Sequence, residues 1–192
     1  MRLAAARGTI LMALTEKRAL RAMALAGGIL ASCASHAFTL EGTLWTKVQS
    51  KVDPYLLYAI ALAESQKANG AVVRPWPWSV NIAGKGYYFS DLREAEQFVD
   101  TQLGKGVTNM DIGPLQVNVR WHGYRVDDPK ELFHLPTAIK VGADILSEAL
   151  ASSPDDHTLA VGRYHNWSDE RRARAYGTKV LSYRKMMVQA GR

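Results

Sequence analysis

One acidic side chain stands where chemistry is easiest to imagine. Glu64 closes the run Asp53-Pro54-Tyr55-Leu56-Leu57-Tyr58-Ala59-Ile60-Ala61-Leu62-Ala63, which is apolar after its second residue. A carboxylate is rarely placed in such surroundings without a partner or a task. At the C-terminal end of a helix the negative pole of the macrodipole and the apolar neighbours both favour the protonated carboxyl. In that form it can act as a general acid. The plainer alternative is a structural glutamate bonded to a nearby Arg or Lys, which is the commoner use of such residues. Two further stretches carry polar groups in apolar settings: Asp111-Ile112-Gly113-Pro114-Leu115-Gln116-Val117-Asn118 and Ala160-Val161-Gly162-Arg163-Tyr164-His165-Asn166.

Other chemistries find no support. The five histidines, at 36, 122, 134, 157 and 165, show no His-Glu-x-x-His spacing, so no metal or other cofactor is expected. No glycine-rich phosphate loop occurs. Cys33 is the only cysteine, which leaves a chain beginning at Phe38 without disulfides or a thiol nucleophile.

The elements that would position these groups can be read from periodicity and punctuation. Asp53 suits an N-cap and Pro54 the first helical position, so residues 53–65 predict a helix. Tyr55, Leu56, Leu57, Tyr58, Ile60 and Leu62 cover its whole circumference, the pattern of a central, surrounded helix. Leu44, Trp45 and Val48 predict a short helix beside it. Lys67 to Gly70 reads as a polar loop, followed by an extended Arg74-Pro75-Trp76-Pro77-Trp78. Residues 79–83 and 87–89 around Gly84-Lys85-Gly86 predict a small β-hairpin, expected to be the only sheet. Ser90 is the expected cap of a helix to about Leu103, and residues 111–118 are expected as packed, irregular backbone. Residues 129–151 predict a short turn and a longer helix, and 154–164 a further one. A last helix, capped around Ser168-Asp169-Glu170, runs to about Gln189 with its arginines and lysines on a solvated face. The fold class expected is mainly α (α+β): a helical domain around a central buried helix with one small β-hairpin.

The first 37 residues differ from the rest. Arg2, Arg7, Lys17, Arg18 and Arg21 precede an apolar run, Ala22 to Ser32, that is too short to span a bilayer, and the whole reads as a signal peptide. Ser35-His36-Ala37 offers small residues for cleavage before Phe38, placing residues 38–192 in the periplasm. Leu30-Ala31-Ser32-Cys33 also resembles a lipobox, the alternative being a membrane-anchored lipoprotein through Cys33. Five basic residues against Glu16 give this leader +4 of the chain's net +6, leaving +2 for residues 38–192. The basic balance is therefore mostly a leader property and argues for no nucleic-acid partner.

Taken in order, Ala63-Glu64-Ser65, Gly113-Pro114-Leu115-Gln116-Val117-Asn118 and Ala160 to Asn166 resemble three motifs of the soluble lytic transglycosylase (SLT) domain, glycoside hydrolase family 23. Those motifs are glutamate-serine, glycine-x-methionine-glutamine-isoleucine-asparagine and alanine-tyrosine-asparagine. Leu115 replaces the usual methionine, and His165 follows Tyr164 where asparagine is usual. The likeness spans roughly residues 43–183. It implies a fold like that of goose-type lysozyme and a peptidoglycan substrate, cleaved without water to leave a 1,6-anhydromuramic end. Glu64 would be the sole catalytic acid/base. Ser65, Gly113, Gln116, Asn118, Tyr164 and His165 would be substrate-binding. Each has a plain alternative: helix capping for Ser65, a buried backbone partner for Gln116, a core role for Tyr164, and packing or loop bonding for Asn118 and His165. Asp111 is either a second carboxylate or a structural partner of the Gly113-Pro114 turn. Trp76, Trp78, Tyr87 and Tyr88 either stack on sugars or close the core. The partners implied are peptidoglycan strands and, by family habit, a conjugation or type IV secretion machine. The alternatives are a lysozyme-like hydrolase that uses water and an inactive wall-binding component.

Overall fold

A computed structural model of the chain describes residues 38–70 and 72–191. The leader expected at residues 1–37, with Cys33, lies outside them. Among the described residues no helix is long and apolar enough to cross a membrane.

The elements run α1 (Leu44–Lys47), α2 (Pro54–Ser65), β1 (Gln66–Asn69), β2 (Val72–Pro75), β3 (Ser79–Ile82), β4 (Lys85–Tyr88), α3 (Leu92–Gly104), β5 (Met110–Ile112), β6 (Val117–Asn118), α4 (Val119–His122), α5 (Leu135–Ala151), α6 (His157–Gly162) and α7 (Glu170–Ala190). Short 3-10 turns at Gly123–Arg125 and Pro129–Phe133 link α4 to α5. The result is a mainly helical α+β fold with small antiparallel sheets.

Helix α2 starts as its sequence dictates. Asp53 accepts from the Tyr55 N–H at 3.0 Å, Pro54 occupies the first turn, and the other oxygen of Asp53 pairs with Arg184 of α7. Leu56, Leu57, Ala59, Ile60 and Ala61 are buried. Tyr55 and Tyr58 are only partly so and pack with Phe38 and Trp45 in an aromatic cluster. Burying Leu57 and Ile60 contributes about 1.5–3 kcal/mol each.

The sheet is where structure and expectation part. The hairpin β3–β4 is present, but it belongs to a four-stranded sheet of order β4-β3-β5-β6, and β1 and β2 form a second, two-stranded ribbon. The hairpin is therefore not the only sheet. Of residues 67–70, expected as loop, the first three pair in register, Lys67 with Arg74 and Asn69 with Val72, and Gly70 lies in the turn. Residues 111–118, expected as irregular backbone, contribute β5, a tight turn and β6. Strands of three and two residues are too short for period-two alternation to show in sequence. Smaller shifts occur at helix ends: Asp91, not Ser90, caps α3, and Asp156 caps a shorter α6. Asp169 caps α7 within the expected segment.

Register sorts the larger sheet into two rows. Val80, Ile112 and Val117 sit side by side and are buried in the core. Asn81, Asp111 and Asn118 are the adjacent row and so point to the other face. A one-residue slip would turn Asp111 into the core.

A close crossing positions the opposite side. A Cβ on Gly162 would lie 1.9 Å from the Ala173 carbonyl oxygen, and one on Gly177 2.0 Å from that of Thr158. Only glycines let α6 and α7 meet this closely. The segment following α6 is thereby laid against α7.

Candidate active site

Three pieces of chain that are far apart in sequence meet at an open groove of about 800 Å³. Its walls include Glu64 from the end of α2, Asn81, Asp111 and Asn118 from the sheet, Gln116 from the turn between β5 and β6, and Tyr164, His165 and Trp167 from the segment before α7.

Glu64 is held by two aromatic neighbours. Tyr176 of α7 donates its hydroxyl to Glu64 Oε1 at 2.6 Å, and His165 Nδ1 lies 3.6 Å from the same oxygen. The His165 ring stacks on Tyr176, with centroids 4.7 Å apart and planes 5° from parallel. The Glu64 side chain is 14% exposed and that of His165 51%, so the carboxyl is sheltered while the imidazole is half in solvent. Burial, then the charge of Glu64, pushes the Tyr176 hydroxyl well above its ordinary value, so it remains a neutral donor. His165 is raised, foremost by its contact with Glu64, against burial.

Gln116 sits at a strained turn. Its φ of 45° is in the left-handed region, an uncommon conformation for a side-chain-bearing residue that costs about 1–3 kcal/mol and clusters at functional sites. Its Nε2 donates to the Gly113 carbonyl at 2.8 Å and approaches Ser79 Oγ at 3.1 Å. The carboxamide oxygen, which no described residue engages, is left to accept from a ligand N–H.

Several expected contacts with substrate are differently used. Ser65 is buried and does not line the groove. Its hydroxyl donates to the Pro114 carbonyl at 2.7 Å, with the Ala61 carbonyl 3.1 Å away, and accepts from the Trp76 N–H at 3.2 Å. It fastens the end of α2 to the turn that carries Gln116. Gly113 is likewise buried, with φ of +79°, and a Cβ there would lie 2.1 Å from the Leu132 carbonyl oxygen. Its place in the motif is a backbone requirement. Asn118 lines the groove, but its amide caps α4 through the Trp121 N–H at 3.3 Å and donates to Asp111 Oδ1 at 2.7 Å.

Tyr164 faces the groove but gives its hydroxyl to the Leu115 carbonyl at 2.9 Å, not to Glu64. Burial, then the charges of Glu64 and Asp111, raises it well above the usual tyrosine value. Asp111 bonds Asn118 rather than the Gly113-Pro114 turn. It is raised, first by burial and further by the Glu64 charge, with the Asn118 bond acting against the shift.

The aromatic surface of the groove is not where the sequence reading looked. Trp76, Trp78, Tyr87 and Tyr88 do not line it; Trp76 bonds the Phe89 carbonyl, and Tyr87 packs on Phe98. Trp121 and Trp167 do line it, 64% and 58% exposed, each with an arginine over its ring, Arg120 and Arg163. Sequence reasoning also missed Tyr176. The signal was present: Ala173, Tyr176, Gly177, Val180 and Met187 recur at helical spacing within an otherwise basic helix, marking its inward face.

No set of three or more metal-ligating side chains is assembled among the described residues. The groove offers proton transfer, amide recognition and flat aromatic surfaces. Comparison with protein-family models, curated proteins and solved structures found no match to this chain.

Proposed function

We propose that the protein is a peptidoglycan lytic transglycosylase with a lysozyme-like fold, acting in the periplasm. The observation that supports this best is convergence. The three sequence pieces that resemble the family's motifs meet at one groove, with the Glu64 carboxyl sheltered in its wall and oriented by Tyr176.

In this reading Glu64 donates a proton to the glycosidic oxygen between N-acetylmuramic acid and N-acetylglucosamine as the C1–O bond breaks. The resulting carboxylate takes the proton of the muramic C6 hydroxyl, whose oxygen closes on C1 to give the 1,6-anhydro ring. The nucleophile is already part of the substrate, so no second reactant must be captured. The Gln116 carboxamide oxygen suits an acetamido N–H, and Trp121 and Trp167 offer flat faces to pyranose rings. Local opening of the wall for a conjugation or type IV secretion apparatus is the setting proposed for it.

One observation favours a second reading. Asp111 lines the same groove as Glu64, and a pair of carboxyls is the usual equipment of a glycosidase that uses water. Purified protein should be incubated with peptidoglycan and the released muropeptides weighed by mass spectrometry. Anhydro ends are expected. Reducing ends would replace the first reading with the hydrolase. No release, or equal release by Glu64→Gln, would refute both.

A further inference from the structure

Building on the transglycosylase reading of this groove, we propose that Glu64 and His165 form a one-proton dyad. In this dyad the imidazole, and not the carboxyl alone, keeps the proton for the leaving group available at and above neutral pH.

The argument starts from what surrounds the ring. Glu64 approaches His165 from α2 at 3.6 Å, Tyr176 stacks on it from α7, Lys179 stands on the same helix, and Asp111 faces it from β5. Two carboxyl groups thus act on the imidazole against one ammonium. The Lys179 ammonium is itself directed to the Ala63 carbonyl at 3.2 Å. The balance favours the imidazolium, and His165 is raised accordingly.

Geometry limits what each partner can do. Tyr176 stays protonated, so it orients the carboxyl but cannot take up and release a proton in turnover. His165 can, because its ordinary value lies near neutrality. A separation of 3.6 Å is within ion-pair reach once the imidazole is protonated, and is too long for a hydrogen bond. With its side chain 51% exposed, the ring has room to close the gap.

The proton balance is complete without any further reactant. The resting pair holds one proton, on Nδ1 or on the carboxyl. Glu64 passes it to the glycosidic oxygen as the C1–O bond breaks, leaving neutral imidazole and carboxylate. The C6 hydroxyl then gives its proton to the carboxylate as the O6–C1 bond forms, and the pair again holds one. Interacting groups of this kind titrate as a pair rather than singly.

Two measurements test the dyad on the purified full chain. The first is the pH dependence of kcat/KM on peptidoglycan for wild type and His165→Asn, which keeps a polar amide but cannot hold the proton. Activity in mild acid should survive, while the basic limb moves to lower pH by about one unit or more. The second is an NMR titration of His165 in wild type and Glu64→Gln, which needs no turnover. Loss of the carboxylate should move the imidazole's titration to lower pH. A basic limb unmoved in His165→Asn, or a His165 titration indifferent to Glu64→Gln, would overturn the proposal. Absence of anhydro products counts against the transglycosylase reading alone, and the NMR arm still decides the dyad.

Discussion

The two walls of the groove each present a carboxyl, and they hold it in different ways. On the helical wall, Glu64 ends a buried helix and meets a phenol and an imidazole, groups that donate or exchange protons. On the sheet wall, Asp111 sits in a row of polar residues fixed by strand register, and its short contact is the Asn118 amide, whose own oxygen caps α4. An amide can orient a carboxyl but cannot trade a proton with it. The contrast suggests a working wall and a holding wall, although both acids touch the same space.

Removing each carboxyl is the sharpest way to break that contrast. Glu64→Gln should lower glycan cleavage about 10²–10⁴-fold with an unchanged fold, as loss of an acid/base does. Asp111→Asn should leave cleavage within about tenfold, read as muropeptide release. An equally large loss at Asp111 would make the walls equivalent and favour the water-using reading. Tyr176→Phe comes next. A hydrogen bond to a charged group is worth about 1.5–3 kcal/mol, so activity should fall roughly 10–100-fold in kcat with little change in KM. A change confined to KM would move Tyr176 from orienting Glu64 to binding glycan.

The same contrast explains what could be read in the chain beforehand. The helical wall was largely legible: Asp53-Pro54 announces α2, its apolar circumference announces burial, and Glu64 stands out against it. Tyr176 was not singled out, because its helix is dominated by basic residues and the inward stripe is narrow. The sheet wall was mostly illegible. Met110–Ile112 becomes a strand because β3 lies beside it, and Val117–Asn118 because it folds back on β5, and such pairing leaves no mark within so few residues. Gln116 could be picked out by its motif but not by its conformation, since a left-handed glutamine is imposed by the surrounding turn. Ser65 was legible as important with its role left between glycan and helix end: a hydroxyl next to a catalytic candidate looks the same in sequence whether it faces sugar or protein, and the structure buries it against the Pro114 and Ala61 carbonyls.

Ser65 also joins the walls, and cutting that link sharpens the comparison at a smaller scale. Ser65→Ala leaves the buried Pro114 carbonyl without its donor, whereas the Trp76 N–H keeps the Ser65 main-chain oxygen at 3.0 Å. The cost of one unsatisfied buried acceptor is about 1–3 kcal/mol. For a chain of this size Tm should fall by roughly 2–4 °C per kcal/mol, measurable by calorimetry. If Tm holds and substrate affinity drops, Ser65 contacts glycan after all.

The smallest expected effect concerns Asp111 and pH. Burial and the Glu64 charge raise this carboxyl in the folded protein, outweighing the Asn118 bond. A group raised on folding binds protons more readily in the native state, so its contribution to stability is present below the ordinary carboxylate value. That contribution is lost as pH rises through the folded one. Asp111→Asn abolishes the titration. Wild type and variant unfolded in urea across mild acid to neutral pH should therefore diverge in one direction: wild type loses stability relative to Asp111→Asn as pH rises, then runs parallel to it. The opposite slope would mean that the Asn118 bond outweighs burial and the Glu64 charge, so that the sheet wall favours the ionised carboxyl over the protonated one. The division between the walls would then disappear, because each side would hold a carboxyl suited to base chemistry.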